Sequence, residues 1–175
     1  MRTNLRTSLI VSLFLLVIVT VASAKTIYVD IDRPGGSGTS WTNAYKYLQD
    51  ALTDAGASAK PVEIRVARGT YKPDRGGGKT PGDREAAFQL INGVTIKGGY
   101  AGYGEPNPDA RDIDLYETIL SGDLGSNDAA VGDPCDLLTE PTRGENSYHV
   151  LRGSNTDATA VLDGFTITAG YATSP

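Results

Sequence analysis

An acidic, glycine-rich loop that starts at Gly122 carries the residues best suited to hold a metal ion. Asp123, Asn127 and Asp128 lie close together in the sequence, and further aspartates follow. Carboxylate and amide oxygens are the ligands that Ca²⁺ prefers, and a cation relieves the repulsion between neighbouring carboxylates. The spacing fits neither an EF-hand nor the nonapeptide calcium repeat, so a solvated loop is the alternative. The sequence therefore offers one candidate metal site, a calcium site with Asp123, Asn127 and Asp128 as ligands.

The other residues with chemically active side chains do not form a catalytic set. His149 is the single histidine and Cys135 the single cysteine, which excludes a zinc site built from several such ligands. Asn155-Thr156-Asp157 matches the first catalytic motif of polygalacturonases, inverting enzymes with paired aspartates, but the rest of that set is missing. Arg65 beside Glu63 is typical of a solvated strand face. The sequence assigns no catalytic residue.

The first 24 residues have the pattern of an export signal. Arg2 and Arg6 precede an apolar run from Leu9 to Val21, and Ala22-Ser23-Ala24 has the small-x-small pattern of a cleavage site. The apolar run is shorter than the roughly 20 residues that a membrane-spanning helix needs. An uncleaved N-terminal anchor is the alternative. We expect cleavage after Ala24 and a secreted or cell-surface protein with no membrane span in the mature chain.

The composition restricts the partners and the source of stability. The chain has 16 Lys and Arg against 21 Asp and Glu, a formal net charge of −5. This charge argues against nucleic acid and against anionic membrane surfaces as partners. A single cysteine cannot form an internal disulfide, so packing and backbone pairing must stabilise the fold. Residues 25–175 suffice for one domain with a hydrophobic core.

One strand and one helix are predicted near the start of the mature chain. Residues 25–30 alternate and contain β-branched side chains, which is typical of a strand. Ser40 is suited to cap a helix, and Gly56 is suited to end it. Apolar residues recur between them at helical spacing and should form the buried face: Trp41, Ala44, Tyr45, Leu48, Ala51 and Leu52.

Beyond Pro61 the pattern changes to short strands without helices. The predicted strands are 62–67, 87–91, 94–97, 118–121, 147–152, 160–162 and 165–168. Turns and polar loops separate them. Strands without intervening helices exclude a sheet in which strands and helices alternate. A sandwich, a closed barrel and a β-solenoid remain.

A short repeat favours the solenoid. Residues 93–101 (GVTIKGGYA) and 164–172 (GFTITAGYA) are identical at six of nine positions. Units that recur with loops of different length between them are typical of a solenoid, in which insertions emerge from the turns. The pairs Asn92-Gly93 and Asp163-Gly164 then form corners between two strands of one coil, although such pairs also suit tight hairpins.

Three motifs carry a family resemblance. They are Trp41-Thr-Asn-Ala-Tyr with its helix, Ile64-Arg-Val-Ala-Arg-Gly-Thr-Tyr, and the paired Gly-x-Thr-Ile units. With them the chain resembles the N-terminal part of a secreted right-handed parallel β-helix protein of the pectate-lyase-like superfamily. Within that superfamily it is most similar to bacterial cell-surface proteins of the polymorphic outer-membrane-protein type. The resemblance implies an all-β domain over residues 25–175, with a capping strand and short α-helix at about 25–56 and coils at about 61–175.

The resemblance predicts the fold better than the activity, because the superfamily mixes lyases, hydrolases, adhesins and binding proteins. Since every catalytic set is incomplete, we expect a non-catalytic, exported module that binds a polysaccharide or a surface protein, with no cofactor other than calcium. The alternative is a carbohydrate-active enzyme, a polysaccharide lyase or glycoside hydrolase that acts on pectin-like uronates. Because such chains usually continue for many coils, we expect a fragment, or a last coil that pairs with further coils or a partner.

Overall fold

The computed structural model of the protein describes residues 24–172. The predicted export signal lies outside the described residues, apart from Ala24, and stays a prediction. No helix within the described range is long and apolar enough to cross a membrane.

Strands make up most of the regular structure between residues 24 and 172, where we find nine strands and one α-helix. Two short 3-10 helices, Pro134–Leu138 and Pro141–Arg143, lie in the loop before the seventh strand. In chain order the elements are β1 (Lys25–Val29), α1 (Leu48–Ala57), β2 (Val62–Ala67), β3 (Gly69–Tyr71), β4 (Phe88–Gln89), β5 (Val94–Tyr100), β6 (Thr118–Ser121), β7 (Leu151–Arg152), β8 (Val161–Asp163) and β9 (Thr166–Thr168).

The strands form three sheets in which all neighbours are parallel. One sheet has the order β1-β2-β5-β8, the second β3-β6-β9 and the third β4-β7. From β2 onwards the chain enters these three sheets in a fixed order, which it then repeats. Gly93 therefore lies between β4 and β5, and Gly164 between β8 and β9, which are strands of different sheets. This arrangement excludes the hairpin interpretation of both Asn/Asp-Gly pairs.

One hydrophobic core takes side chains from all three sheets. In β2, Val62, Ile64 and Val66 point inward at every second position, as expected of a strand with one buried face. Tyr71 of β3 and Phe88 of β4 are fully buried in the same core. The helix α1 packs against it through Leu48, Ala51, Leu52 and Ala55.

The predicted start of the helix is wrong, because α1 begins at Leu48 and not just after Ser40. The intervening segment is paired with β1 instead. The N–H of Tyr45 donates to the C=O of Tyr28 at 2.9 Å, and the N–H of Asp30 donates to the C=O of Tyr45 at 2.8 Å. This pairing overrides the helical spacing of the side chains. The predicted burial is confirmed for Trp41, Ala44, Leu48, Ala51 and Leu52, whereas Tyr45 is half-buried.

The predicted strands are present, but several have different ends. The segment 87–91 is reduced to β4, and the segment 147–152 is reduced to β7. In the latter, the N–H of Ser147 donates to the C=O of Gly122 and the N–H of Tyr148 donates to the C=O of Arg84, so these residues join loops and not a sheet. The prediction missed β3, whose three residues are too few to show an alternating pattern.

The two copies of the sequence repeat are not equivalent in the structure, so their interpretation as one recurring unit is wrong. The first copy contains β5, and its Ile96 pairs with Leu162 in the four-stranded sheet. The second copy contains β9, and its Ile167 pairs with Leu120 in the three-stranded sheet. Ile96 is 1% exposed, whereas Ile167 is 48% exposed. Parallel pairing recurs along the chain, but this nine-residue motif does not mark its period.

Candidate functional site

The structure brings two of the three predicted metal ligands together and adds a third carboxylate. Asp123 and Asp128 lie with Glu145, and one carboxylate oxygen from each is within 4.8 Å of the others. We call these three residues the acidic cluster. Glu145 comes from the far end of the loop, and the N–H of Gly125 holds it by donating to Oε2 at 3.1 Å. Nothing in the local sequence pattern around Asp123 points to Glu145.

The loop after β6 folds around the carboxylate of Asp123. Oδ1 of Asp123 accepts from the N–H of Asn127 at 3.1 Å, and Oδ2 accepts from the N–H of Asp128 at 3.2 Å. The predicted ligand Asn127 thus contributes its backbone to the cluster. Its side-chain Oδ1 lies beside Gly125, where an added Cβ would be 2.8 Å from it and 2.9 Å from Oε1 of Glu145.

Asp128 is held by two side chains from the opposite arm of the loop. Nη1 of Arg143 lies 3.0 Å from Oδ2 of Asp128, and Nδ2 of Asn146 donates to the same oxygen at 2.9 Å. Asn146 is completely buried, as is the neighbouring Ser147. Oδ1 of Asp128, Oε1 of Glu145, Oδ1 of Asn146 and Oγ of Ser147 are buried without a hydrogen-bond partner in residues 24–172.

The carboxylates of the cluster differ in pKa. Burial opposes ionisation of Asp123, but the backbone N–H groups of Asp128, Asn127 and Ser126 outweigh it and lower the pKa of Asp123. Burial, together with the nearby charges of Asp123 and Asp128, raises the pKa of Glu145. The cluster therefore concentrates negative charge that its own hydrogen bonds only partly offset.

A groove of about 480 Å³ is lined in part by the same loop. Its walls include Tyr47, Thr70, Lys72 and Arg75 together with residues 124–126. We call it the cationic groove. Nζ of Lys72 donates to the C=O of Leu124 at 3.1 Å, which ties the cation to the loop. Sequence analysis did not find this groove, because Lys72 and Arg75 lie in an irregular polar segment without periodicity.

The outer face of the four-stranded sheet carries a half-buried ion-pair network, not the solvated strand face that we expected. Glu63 accepts from Nε of Arg65 at 2.7 Å and from Nζ of Lys97 at 2.7 Å. Nη1 of Arg65 also donates to Asp109 at 2.9 Å. Burial disfavours ionised Glu63, but the hydrogen bonds from Lys97 and Arg65 outweigh it and lower the pKa of Glu63.

We expect this network to stabilise the protein at neutral pH and to fail in acid. Because the pKa of Glu63 is lower in the folded state than its ordinary value of 4.5, its contribution is complete above that pH and is lost as the pH falls through the folded-state pKa. Glu63→Gln should cost about 1 kcal/mol at pH about 7 and much less at pH about 3 in urea unfolding. The control is Glu85→Gln, which removes an exposed pair with Arg152 and should cost little at either pH. An equal loss at both pH values in Glu63→Gln would contradict the pKa argument.

His149, Cys135 and Asp157 belong neither to the acidic cluster nor to the cationic groove. His149 and Cys135 are both exposed. Oγ1 of Thr156 donates to the C=O of Gly153 at 2.7 Å and Asp157 accepts from the N–H of Thr159 at 2.8 Å, so these side chains of the Asn155-Thr156-Asp157 motif make local hydrogen bonds typical of turns. Trp41 is buried: its ring contacts Tyr28 with the centroids 4.9 Å apart, and its Nε1 donates to Asp109 at 3.0 Å.

Comparison of the chain with models of protein families, with curated proteins and with solved structures gave no match.

Proposed function

We propose that the protein is an exported, non-catalytic module with a right-handed parallel β-helix fold, and that it binds an acidic glycan in the cationic groove. The fixed order in which the chain enters its three parallel sheets supports the β-helix. In this proposal β1 and α1 cap the N-terminal end. The helix contacts β1, β2 and β4, which are early strands of two sheets.

The observation that carries the function is the charge of the groove. The whole chain has a net charge of −5, yet Lys72 and Arg75 line one concave surface beside Tyr47. Lys46 does not line the groove, but it places a positive charge near Tyr47, with its Nζ 6.0 Å from the centre of the ring. Such a groove favours a ligand that combines negative charge with a flat apolar face.

A sugar chain with carboxylate groups has both properties. Its carboxylates suit Lys72 and Arg75, and a sugar ring suits the face of Tyr47. The hydroxyl of Thr70 and the backbone of residues 125–126 add polar groups that fix the orientation of a ligand. A groove of about 480 Å³ has room for a short oligosaccharide segment.

The arrangement of side chains favours binding over catalysis. Asp74, the carboxylate nearest to Arg75, is fully buried and lies 3.4 Å from its Nε, so it serves as a partner of that cation. The groove walls bring no histidine and no pair of carboxylates to one side of a bound ligand. Such a pair is what a glycosidase mechanism requires.

The proposal is tested by calorimetric titration with oligogalacturonate, a linear chain of uronate sugars, and with a neutral cello-oligosaccharide. We expect the acidic sugar to bind, more weakly at high salt, and the neutral sugar not to bind. Lys72→Gln should weaken binding about tenfold, equivalent to about 1.4 kcal/mol. Lys79→Gln, which changes an exposed lysine of the same segment outside the groove, should leave binding unchanged.

Two outcomes would overturn the proposal. If none of several acidic oligosaccharides binds, the groove is not a glycan site, and a protein partner becomes the better hypothesis. If polygalacturonate or alginate is cleaved in the presence of Ca²⁺, with an unsaturated product that absorbs in the ultraviolet, the protein is a carbohydrate-active enzyme.

A further inference from the structure

The acidic cluster holds more negative charge than its neighbours neutralise. Asp123, Asp128 and Glu145 meet within 4.8 Å, and Arg143 pairs directly with Asp128 alone. Lys72, which lines the cationic groove, is bonded to the C=O of Leu124 and forms no ion pair with the cluster. Two carboxylates of the cluster are left without an ion pair in the part of the chain that the structure describes.

Buried oxygens without a hydrogen-bond partner belong both to the cluster and to Asn146, which is bonded to it. Asn146 is 0% exposed, and its Nδ2 donates to Oδ2 of Asp128, which places the amide end of the side chain at the cluster. Its Oδ1 has no hydrogen-bond partner in the described part of the chain, and the same is true of Oδ1 of Asp128 and Oε1 of Glu145. A buried acceptor without a partner loses its hydrogen bonds to water and gains none in the protein. Native proteins therefore seldom contain several such acceptors in one place.

We propose that this cluster is a Ca²⁺ site, with carboxylate oxygens of Asp123, Asp128 and Glu145 and the amide oxygen of Asn146 as ligands. Ca²⁺ binds oxygens at about 2.3–2.6 Å, so two ligands on opposite sides of the ion are roughly 5 Å apart. The 4.8 Å within which the carboxylate oxygens of the cluster lie fits that limit.

The chemistry of the ligands selects the ion. All of the donors are oxygen atoms, which suit a hard cation. They come from an irregular loop of which only short 3-10 segments are regular, and Ca²⁺ tolerates such geometry better than Mg²⁺, which demands a near-ideal octahedron. Oδ1 of Asn127 and Oε1 of Glu145 lie 2.8 and 2.9 Å from the position that a Cβ on Gly125 would take, so the Asn127 amide is next to the cluster and offers a further oxygen.

A proton shared by Asp123 and Glu145 is the competing explanation, because it would also relieve the repulsion between them. The two explanations predict different effects of Ca²⁺: only a metal site should bind the ion and be stabilised by it. The test is calorimetric titration of chelator-treated protein with CaCl₂, together with melting curves in millimolar CaCl₂ and in EGTA. We expect one site with a Kd of roughly 10⁻⁴–10⁻³ M and a melting temperature about 1–6 °C higher in CaCl₂.

The variant Glu145→Gln tests whether Glu145 is a Ca²⁺ ligand or only a structural residue of the loop. The amide oxygen can still accept from the N–H of Gly125, so the variant should fold and, in EGTA, melt at or above the wild-type temperature. It should nevertheless bind Ca²⁺ at least tenfold more weakly. Asp136→Asn, which changes an exposed aspartate of the same loop outside the cluster, should bind like the wild type. Identical melting curves in CaCl₂ and EGTA, or unchanged affinity in Glu145→Gln, would overturn the proposal.

Discussion

Ile96→Ala is expected to destabilise the protein by roughly 2–5 kcal/mol, whereas Ile167→Ala should cost less than about 1 kcal/mol. The two isoleucines occupy the same position of the sequence repeat. Ile96, however, is 1% exposed and lies between Ile64 and Leu162 in the register of its sheet, whereas Ile167 is 48% exposed. Truncating Ile96 loses buried apolar surface and leaves a cavity, while truncating Ile167 mainly removes surface that is already in water.

Urea unfolding followed by circular dichroism measures both variants against the wild type. The comparison is internally controlled, because the substitution and the sequence context are the same and burial differs. Equal losses in the two variants would mean that the repeat marks equivalent positions after all, and that the burial described for β5 and β9 is wrong.

Local sequence patterns predicted the strands better than the way in which they are arranged. In β2, the alternation of Val62, Ile64 and Val66 with Glu63 and Arg65 identifies both a strand and its buried face, because side chains alternate across a strand. The pairing of β2 with β5, which is distant in sequence, depends on contacts that no local window contains. The repeat does not supply this information, because its two copies lie in different sheets.

The helix shows how a correct hydrophobic pattern can give a wrong boundary. Trp41 and Ala44 are buried as the helical spacing predicted, although they precede α1. Their segment is tied to β1 by backbone hydrogen bonds from and to Tyr45. Burial was predictable from residue type, whereas the conformation was set by a neighbouring strand.

Of the candidate metal site, only the residues that are close in sequence could be predicted. Asp123 and Asp128 are neighbours in sequence, and the short loop between them suffices to bring their carboxylates together. Glu145 and Asn146 reach the site because the loop returns to β6, where the N–H of Ser147 donates to the C=O of Gly122 at 2.8 Å. The sequence contains no motif that predicts where this loop comes back to β6, so Glu145 and Asn146 could not be identified from the sequence.

Gly98→Ala is the second substitution with a large expected effect, roughly 1–3 kcal/mol, although Ala169 occupies the matching position of the second repeat copy. A Cβ on Gly98 would lie 2.4 Å from the carbonyl oxygen of Gly164 and 3.0 Å from Cβ of Thr118. The first contact is with backbone, which cannot rotate away as a side chain can, so the segment that follows β8 must move away from β5.

The control for Gly98→Ala is Gly132→Ala, because an added Cβ there meets no atom of the described chain within 4 Å. Its effect should stay within about 0.5 kcal/mol of zero. Urea unfolding gives the loss of stability, and amide hydrogen exchange locates it: exchange in Val161–Asp163 should accelerate in Gly98→Ala and not in Gly132→Ala. A Gly98→Ala protein as stable as the wild type would show that β5 and β8 are not packed as closely as their parallel pairing requires. It would also mean that position 98 tolerates alanine, as the matching position 169 of the second copy does. The two copies would then resemble each other in structure although they lie in different sheets.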